Sequence, residues 1–247
     1  LITSTQNNQV KYWAKLKQRK YREKNNEFLI EGFHLVEEAY NSGWEIEVLI
    51  YKQSVQSLLP NWSAEVYSIA VDDKVFQSIS QTVQPQGLAA IVKMKEWNKI
   101  SDDYTVLVDS IQDPGNLGTI IRTADAAGFT KVVLGNGTVD MYNDKVIRAS
   151  QGSIFHIPVV SKDLREEITI LQSKNILVLA SALEHAISYE SVQVTGKSAL
   201  IVGNEGSGIK KELLEVADKI VKIPIYGKAE SLNVSVAAGI LMYYMRK

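Results

Sequence analysis

The chain has 247 residues, 45% of them apolar and 22% charged, with only 5 Pro and 15 Gly. That length and balance exclude a disordered chain or a stapled mini-domain and allow one large domain or two of ordinary size. Its net charge of −1 and complete lack of cysteine exclude disulfides, thiolate metal sites, iron–sulfur clusters and a cysteine nucleophile, and argue against a uniformly basic polyanion binder.

Charge is uneven along the chain. Lys11, Lys15, Lys17, Arg19, Lys20, Arg22 and Lys24 face only Glu23, Glu27 and Glu31 within residues 1–31. Lys11, Lys15, Arg19 and Arg22 fall at helical spacing, so one helix is expected to carry a basic stripe, with Val10, Trp13 and Leu16 on another side. A solvated helix face and a polyanion-binding face both fit that stripe. The opening residues have neither a charged leader nor an apolar run, and no apolar stretch is long enough to span a bilayer, so a soluble, cytoplasmic protein is expected.

From Glu27 to Lys93, FLIEG, IEVLIY, EVYSI and GLAAIVK read as strands with short helices between them. This predicts a small α/β domain over 1–95. Residues 96–103 lack periodicity and serve as a linker. Beyond it, TVLVD, KVVLG, FHIPVV, NILVLAS, SALIVG and DKIVKIP are short Val- and Ile-rich runs alternating mostly with helical segments. Continuous apolar strands alternating with helices predict a parallel sheet covered on both faces, so 104–247 is read as one α/β domain.

Two tempting motifs fail. Thr195–Ser198 resembles the tail of a phosphate-binding loop, but Ser191 stands where the first glycine belongs and a strand, not a helix, follows. The glycines of GNEGSG have the wrong spacing for a dinucleotide fingerprint. His34, His156 and His185 are scattered, so no metal site is expected.

Three segments carry the chemistry. Asp113–Phe129 begins with Asp-Pro-Gly-Asn, read as a turn in which Gly115 can take positive φ, and continues as a helix over 116–128 bearing Asn116 and Arg122. Ser198–Ile209 is a strand running into a glycine-rich loop with one carboxylate, Glu205. Such a loop suits either a close ligand or a simple turn. Ile223–Met245 is a strand end and a loop, then a long helix capped by Ser231 or a near neighbour. Its apolar stripe of Val236, Ala237, Ile240, Leu241 and Tyr244 suits core or subunit interface.

In that order the three segments resemble the three motifs of the SpoU family of RNA ribose 2′-O-methyltransferases, within the SPOUT superfamily of knotted S-adenosylmethionine enzymes. Asn116 and Arg122 match the first motif, Gly203-Asn204-Glu205-Gly206 the second and Ser231-Leu232-Asn233-Val234 the third. FLIEGFHLVEEAYNSG, with QGLAAIV near Gln86, is similar to the family's N-terminal substrate-binding domain, a ribosomal-protein-like RNA-binding fold. The resemblance covers nearly the whole chain.

It implies a C-terminal parallel sheet with a trefoil knot and a homodimer packed through the knotted domain. It also implies a methyl-donor crevice at Gly203, Ile223 and Leu232, with Ser181 and Ile225 nearby. Arg122 would grip phosphate or hydroxyl oxygen rather than act as a base, since guanidinium scarcely deprotonates in proteins. Glu205 would orient Arg122 or the donor loop, and Asn116, Ser231 and Asn233 would fix the geometry. Lys11, Lys15, Arg19 and Arg22 would neutralise RNA phosphates. The two-domain layout favours ribosomal RNA as substrate; transfer RNA, a non-catalytic RNA-binding role and a nucleotide-dependent oxidoreductase are the alternatives.

Overall fold

A computed structural model describes residues 1–247. The chain forms two compact units, one of Leu1–Glu96 with Tyr142–Phe155, the other of Trp97–Met141 with His156–Lys247.

The first unit opens with α1 (Asn8–Lys15) and α2 (Arg19–Asn25), followed by β1 (Glu27–Glu31), α3 (Phe33–Asn41), β2 (Ile46–Lys52), β3 (Ser68–Val71), α4 (Asp73–Ile79) and β4 (Leu88–Lys93). Its sheet runs β1-β4-β2-β3, antiparallel except for the β2–β3 pair. Val10, Trp13 and Leu16 bury against Val48, Ile50, Val75, Phe76 and Ile91. The expected single basic helix is instead two short ones, broken at residues 16–18.

The break explains why two of the cations turn inward. Arg22, expected on the basic stripe, is only 5% exposed, and its Nη1 donates to the carbonyls of Leu16 and Lys17 at 2.9 Å each. It closes the end of α1. Lys17 Nζ donates to the carbonyls of Ser78 and Ser80, both at 2.9 Å, at the end of α4. Burial holds the Lys17 ammonium below the usual lysine range. Lys11, Lys15, Arg19, Lys20 and Lys24 remain exposed.

Tyr142–Phe155 follows a strand of the second unit, yet its side chains complete the first. Phe28, Trp44, Tyr142 and Phe155 form one aromatic cluster, with Phe28 and Tyr142 ring centroids 4.5 Å apart. Trp44 Nε1 donates to Phe155 O at 3.0 Å. Gly152 takes φ +93°, and a Cβ there would lie 2.7 Å from Glu38 Cγ, so only glycine admits this approach. Reading 104–247 as one stretch misses this segment, because its hydrophobic pattern does not say which core receives it.

The second unit contains β5 (Tyr104–Val108), α5 (Pro114–Ala126), β6 (Lys131–Leu134), β7 (Val159–Ser161), α7 (Leu164–Ser173) and β8 (Leu177–Ser181), while α6 (Asp144–Ser150), between β6 and β7 in the sequence, belongs to the first. The second unit continues with β9 (Ile187–Ser188), β10 (Ser198–Val202), α8 (Lys211–Leu214), β11 (Lys219–Lys222) and α9 (Val234–Met245). The sheet order is β7-β6-β5-β10-β8-β11-β9, parallel throughout. On one face Leu107, Val133, Val178 and Ile201 pack against Leu164, Ile168, Leu171 and Leu213 of α7 and α8. The alternate residues Val106, Val108, Val132 and Leu200 are buried as well, as a doubly covered sheet requires. No helix is long and apolar enough to cross a membrane.

Candidate functional site

In a parallel sheet every strand ends at the same edge, so the loops after β5, β10 and β11 emerge there together, the first two from neighbouring strands and the third from beyond β8. The first is Asp109–Asp113. Its Asp-Pro-Gly-Asn sequence forms no separate turn: Asp113 caps α5, its carboxylate accepting from Asn116 N at 2.9 Å, and Pro114 starts the helix. Proline at the first helical position costs no hydrogen bond, and Gly115 has no positive φ.

The second loop, Gly203–Lys210, folds on itself. Asn204 and Gly208 exchange backbone hydrogen bonds of 3.0 Å in both directions. Asn204 Oδ1 accepts from Gly206 N, Ser207 N and Ser207 Oγ, and its Nδ2 donates to Ser110 O at 2.8 Å. A Cβ on Gly203 would lie 2.4 Å from Gly208 C and Ile209 N, so its missing side chain is required by the loop's own closure.

Glu205, at the tip, reaches the first loop. Its carboxylate accepts from Asn116 Nδ2 at 3.0 Å, Asp113 N at 3.2 Å and Gln112 N at 3.4 Å. Partial burial raises the carboxyl's pKa, but the hydrogen bonds from Asn116 and backbone amides outweigh it and hold the group below the usual glutamate range. Glu205 is therefore an anion at neutral pH.

The third loop ends in Asn233, which caps α9 in place of Ser231: Oδ1 accepts from Ser235 N at 2.9 Å, Ser235 Oγ at 2.6 Å and Val236 N at 3.3 Å. Its Nδ2 donates to Asn116 Oδ1 at 2.9 Å. Glu205, Asn116 and Asn233 thus form one hydrogen-bonded row across all three loops. Ser231 is exposed and makes no hydrogen bond.

Arg122 stands apart from that row. Six residues beyond Asn116 on α5, it lies about 9 Å further along the helix and about 240° around it. Its side chain is exposed, with neither an ion pair nor a hydrogen bond in the chain. Glu205, expected to orient Arg122 or the donor loop, grips Asn116 and the first loop.

Ser181, Gly203 and Ile223 sit at or just beyond the ends of β8, β10 and β11. Ile225 and Leu232 lie in the third loop, where no hydrogen bond within the chain engages the backbone of residues 225–232. That free stretch of amides and carbonyls, beside three strand ends, suits a ligand read by main-chain groups. Sequence reasoning missed Asp109, Ser110 and Lys210; the only signal was an aspartate closing an apolar strand.

The profile of the SpoU rRNA methylase family matches residues 103–243, and that of an MRM3-like substrate-binding domain matches residues 7–90. The chain belongs to the SpoU rRNA methylase family. Among its SpoU relatives is the 23S rRNA (guanosine(2553)-2′-O)-methyltransferase RlmP of Bacillus subtilis, 43% identical over 99% of this chain and 98% of the relative. An AdoMet-bound rRNA methyltransferase from Sinorhizobium meliloti superposes with a TM-score of 0.88 at 32% identity, covering 99% of this chain and 96% of that one. AviRb from Streptomyces viridochromogenes, in complex with AdoMet, gives a TM-score of 0.87 at 27% identity, over 98% and 97% of the two chains.

Proposed function

We propose that this SpoU member transfers a methyl group from S-adenosylmethionine to a ribose 2′-hydroxyl of ribosomal RNA. The observation that carries the reading is the Glu205–Asn116–Asn233 row, which ties the three motif loops together at one edge of the parallel sheet. A relative named as a 23S rRNA 2′-O-methyltransferase, 43% identical over 99% of this chain, supports the ribosomal substrate. The donor supplies an electrophilic methyl group when bound. Ser181, Gly203, Ile223, Ile225 and Leu232 would hold it, largely through main-chain groups.

A ribose hydroxyl is barely ionised at neutral pH, so the protein must position it and stabilise the charge that develops on its oxygen. Arg122, a guanidinium with no partner in the chain, is the group available for that oxygen or the adjoining phosphate. The proton passes to an RNA phosphate or to water. Asn116 and Asn233, locked by their mutual hydrogen bond, and Ser231 set the geometry. Residues 1–95 select the RNA, using Lys11, Lys15 and Arg19; Arg22 supports them from inside. The chain works in the cytoplasm as a homodimer through the knotted domain, for which α9 offers Val236, Ile240 and Tyr243, respectively 51%, 37% and 56% exposed.

The deciding experiment incubates the chain with labelled S-adenosylmethionine and ribosomal or transfer RNA, then maps 2′-O-methyl groups. Methylation of ribosomal RNA is expected; label on transfer RNA alone, or none despite bound RNA, defeats the proposal. Arg122→Ala is expected to abolish turnover while S-adenosylhomocysteine still binds, and retained turnover rejects the role given to Arg122.

A further inference from the structure

The loop bearing Glu205 is held at three places, and the third has no counterpart in the motifs. Its tip is held by Glu205 itself, its first foot by Asn204 Nδ2 on Ser110 O at 2.8 Å. Its second foot is held from below by Asp109, a fully buried residue one position beyond β5. Asp109 Oδ2 accepts from Lys210 N at 2.8 Å, and Oδ1 accepts from Ser110 Oγ at 2.9 Å with Lys210 Nζ 3.2 Å away. Asp109 N in turn donates to Val202 O at 2.8 Å, the last residue of β10 before the loop. One residue therefore grips both the entry and the exit of Gly203–Ile209.

A buried carboxylate is costly unless its oxygens are bonded, so the fold retains one where its bonds are needed. A main-chain carbonyl could accept from such a loop end only if another backbone segment passed beneath it, and here a side chain fills that place. Ser110, beside it, is held at φ +59°, outside the range most residues prefer, and its carbonyl receives Asn204. The two adjacent residues fix both feet of the loop while leaving its tip facing the first motif.

We infer that Asp109 is a positioning residue for methyl transfer: by clasping the Lys210 amide it sets the height of the Gly203–Ile209 loop, and with it the donor crevice and Glu205. This rests on the methyltransferase reading above. Asp109 touches no reacting atom in this account. The amide clasp does the work, and the Lys210 ammonium, on a side chain 48% exposed, is secondary.

The test compares Asp109→Ala, Asp109→Asn and Lys210→Ala in the full chain, measuring S-adenosylhomocysteine affinity, kcat at saturating donor, KM for the RNA and thermal melting. Losing a hydrogen bond to a charged group is worth about tenfold to a hundredfold, so Asp109→Ala should lose that much in donor affinity and kcat, with KM for RNA unchanged. Asp109→Asn keeps an oxygen for the Lys210 amide and should restore most of both, and Lys210→Ala, which keeps that amide and removes only the ammonium, should lose less than Asp109→Ala. Should Asp109→Ala fail to fold, Lys210→Pro removes the same amide at φ −56°, which proline accepts, and should reproduce the loss. A folded Asp109→Ala with parental donor affinity and kcat, an Asp109→Asn as weak as the alanine variant, or a Lys210→Pro with parental values overturns the inference. Absence of S-adenosylhomocysteine binding by the parent chain instead defeats the underlying methyltransferase reading.

Discussion

Asn233 does two things with one amide group: its oxygen caps α9 and its nitrogen holds Asn116. The two can be separated. Asn233→Asp keeps the capping oxygen and places a negative charge at a helix N-terminus, worth about 0.3–1 kcal/mol in favour of the fold. It also sets an acceptor against Asn116 Oδ1, which cannot turn over without presenting an oxygen to Glu205. We predict an unchanged or higher melting temperature with a large loss of methyl transfer, read by differential scanning fluorimetry and a turnover assay. Asn233→Ala should lose activity and about 1 kcal/mol of stability together. The three members of this row were legible as separate motif residues in the sequence. Their mutual bonding was not, since 89 residues separate Asn116 from Glu205 and 117 separate it from Asn233, beyond any local periodicity. Arg22 shows the opposite failure: spacing put it on a basic face, but the interruption between α1 and α2 turned it into the protein.

Among the elements, β6 begins with a lysine that is 1% exposed, at the sheet edge opposite the three loops. Lys131 Nζ is bonded to Asp102, ahead of β5, and lies 2.5 Å from Glu167 on α7; Lys162 reaches the other Glu167 oxygen at 2.8 Å, and Lys174 joins Asp102. Burial raises the pKa of both carboxylates, but their lysine partners outweigh it, so both are held below the usual range. A depressed pKa gives stability that is present above the unfolded value, about 4, and lost as pH falls through the folded one. Resistance to denaturant should therefore fall below about pH 4, and Glu167→Gln should flatten that decline. Lys131→Met leaves Glu167 with Lys162 alone and Asp102 with Lys174 alone, and should cost less than the roughly 3–5 kcal/mol of a fully unpaired buried charge. The strands themselves were readable from their Val and Ile runs. The exception is β9, whose two residues, Ile187 and Ser188, are too few for any alternation to register. The start of α5 was readable from Asp-Pro in principle, but the following Gly-Asn favoured a turn, and only the capping bond to Asn116 N decides between them.

At the scale of the whole molecule, the proposals on assembly and RNA binding predict separable losses. Ile240→Glu places a charge in the exposed stripe of α9 and should shift the chain to monomers in analytical ultracentrifugation; a persisting dimer would move the interface elsewhere. Each single-strand phosphate contact steepens the dependence of log K on log salt by about 0.7, so replacing Lys11, Lys15 and Arg19 together should flatten the slope by up to about 2. Arg22→Ala should instead lower the melting temperature, since the carbonyls of Leu16 and Lys17 lose their donor.

The placement of Tyr142–Phe155 bears on the order in which the protein is made. A nascent chain that has emerged only as far as Glu96 lacks the aromatic side chains of Tyr142 and Phe155 that cover Phe28 and Trp44. The first unit must therefore wait, unfinished, while β5, α5 and β6 leave the ribosome. Stalled chains ending near residue 96 should be cut readily by protease, and those extended past residue 155 should resist.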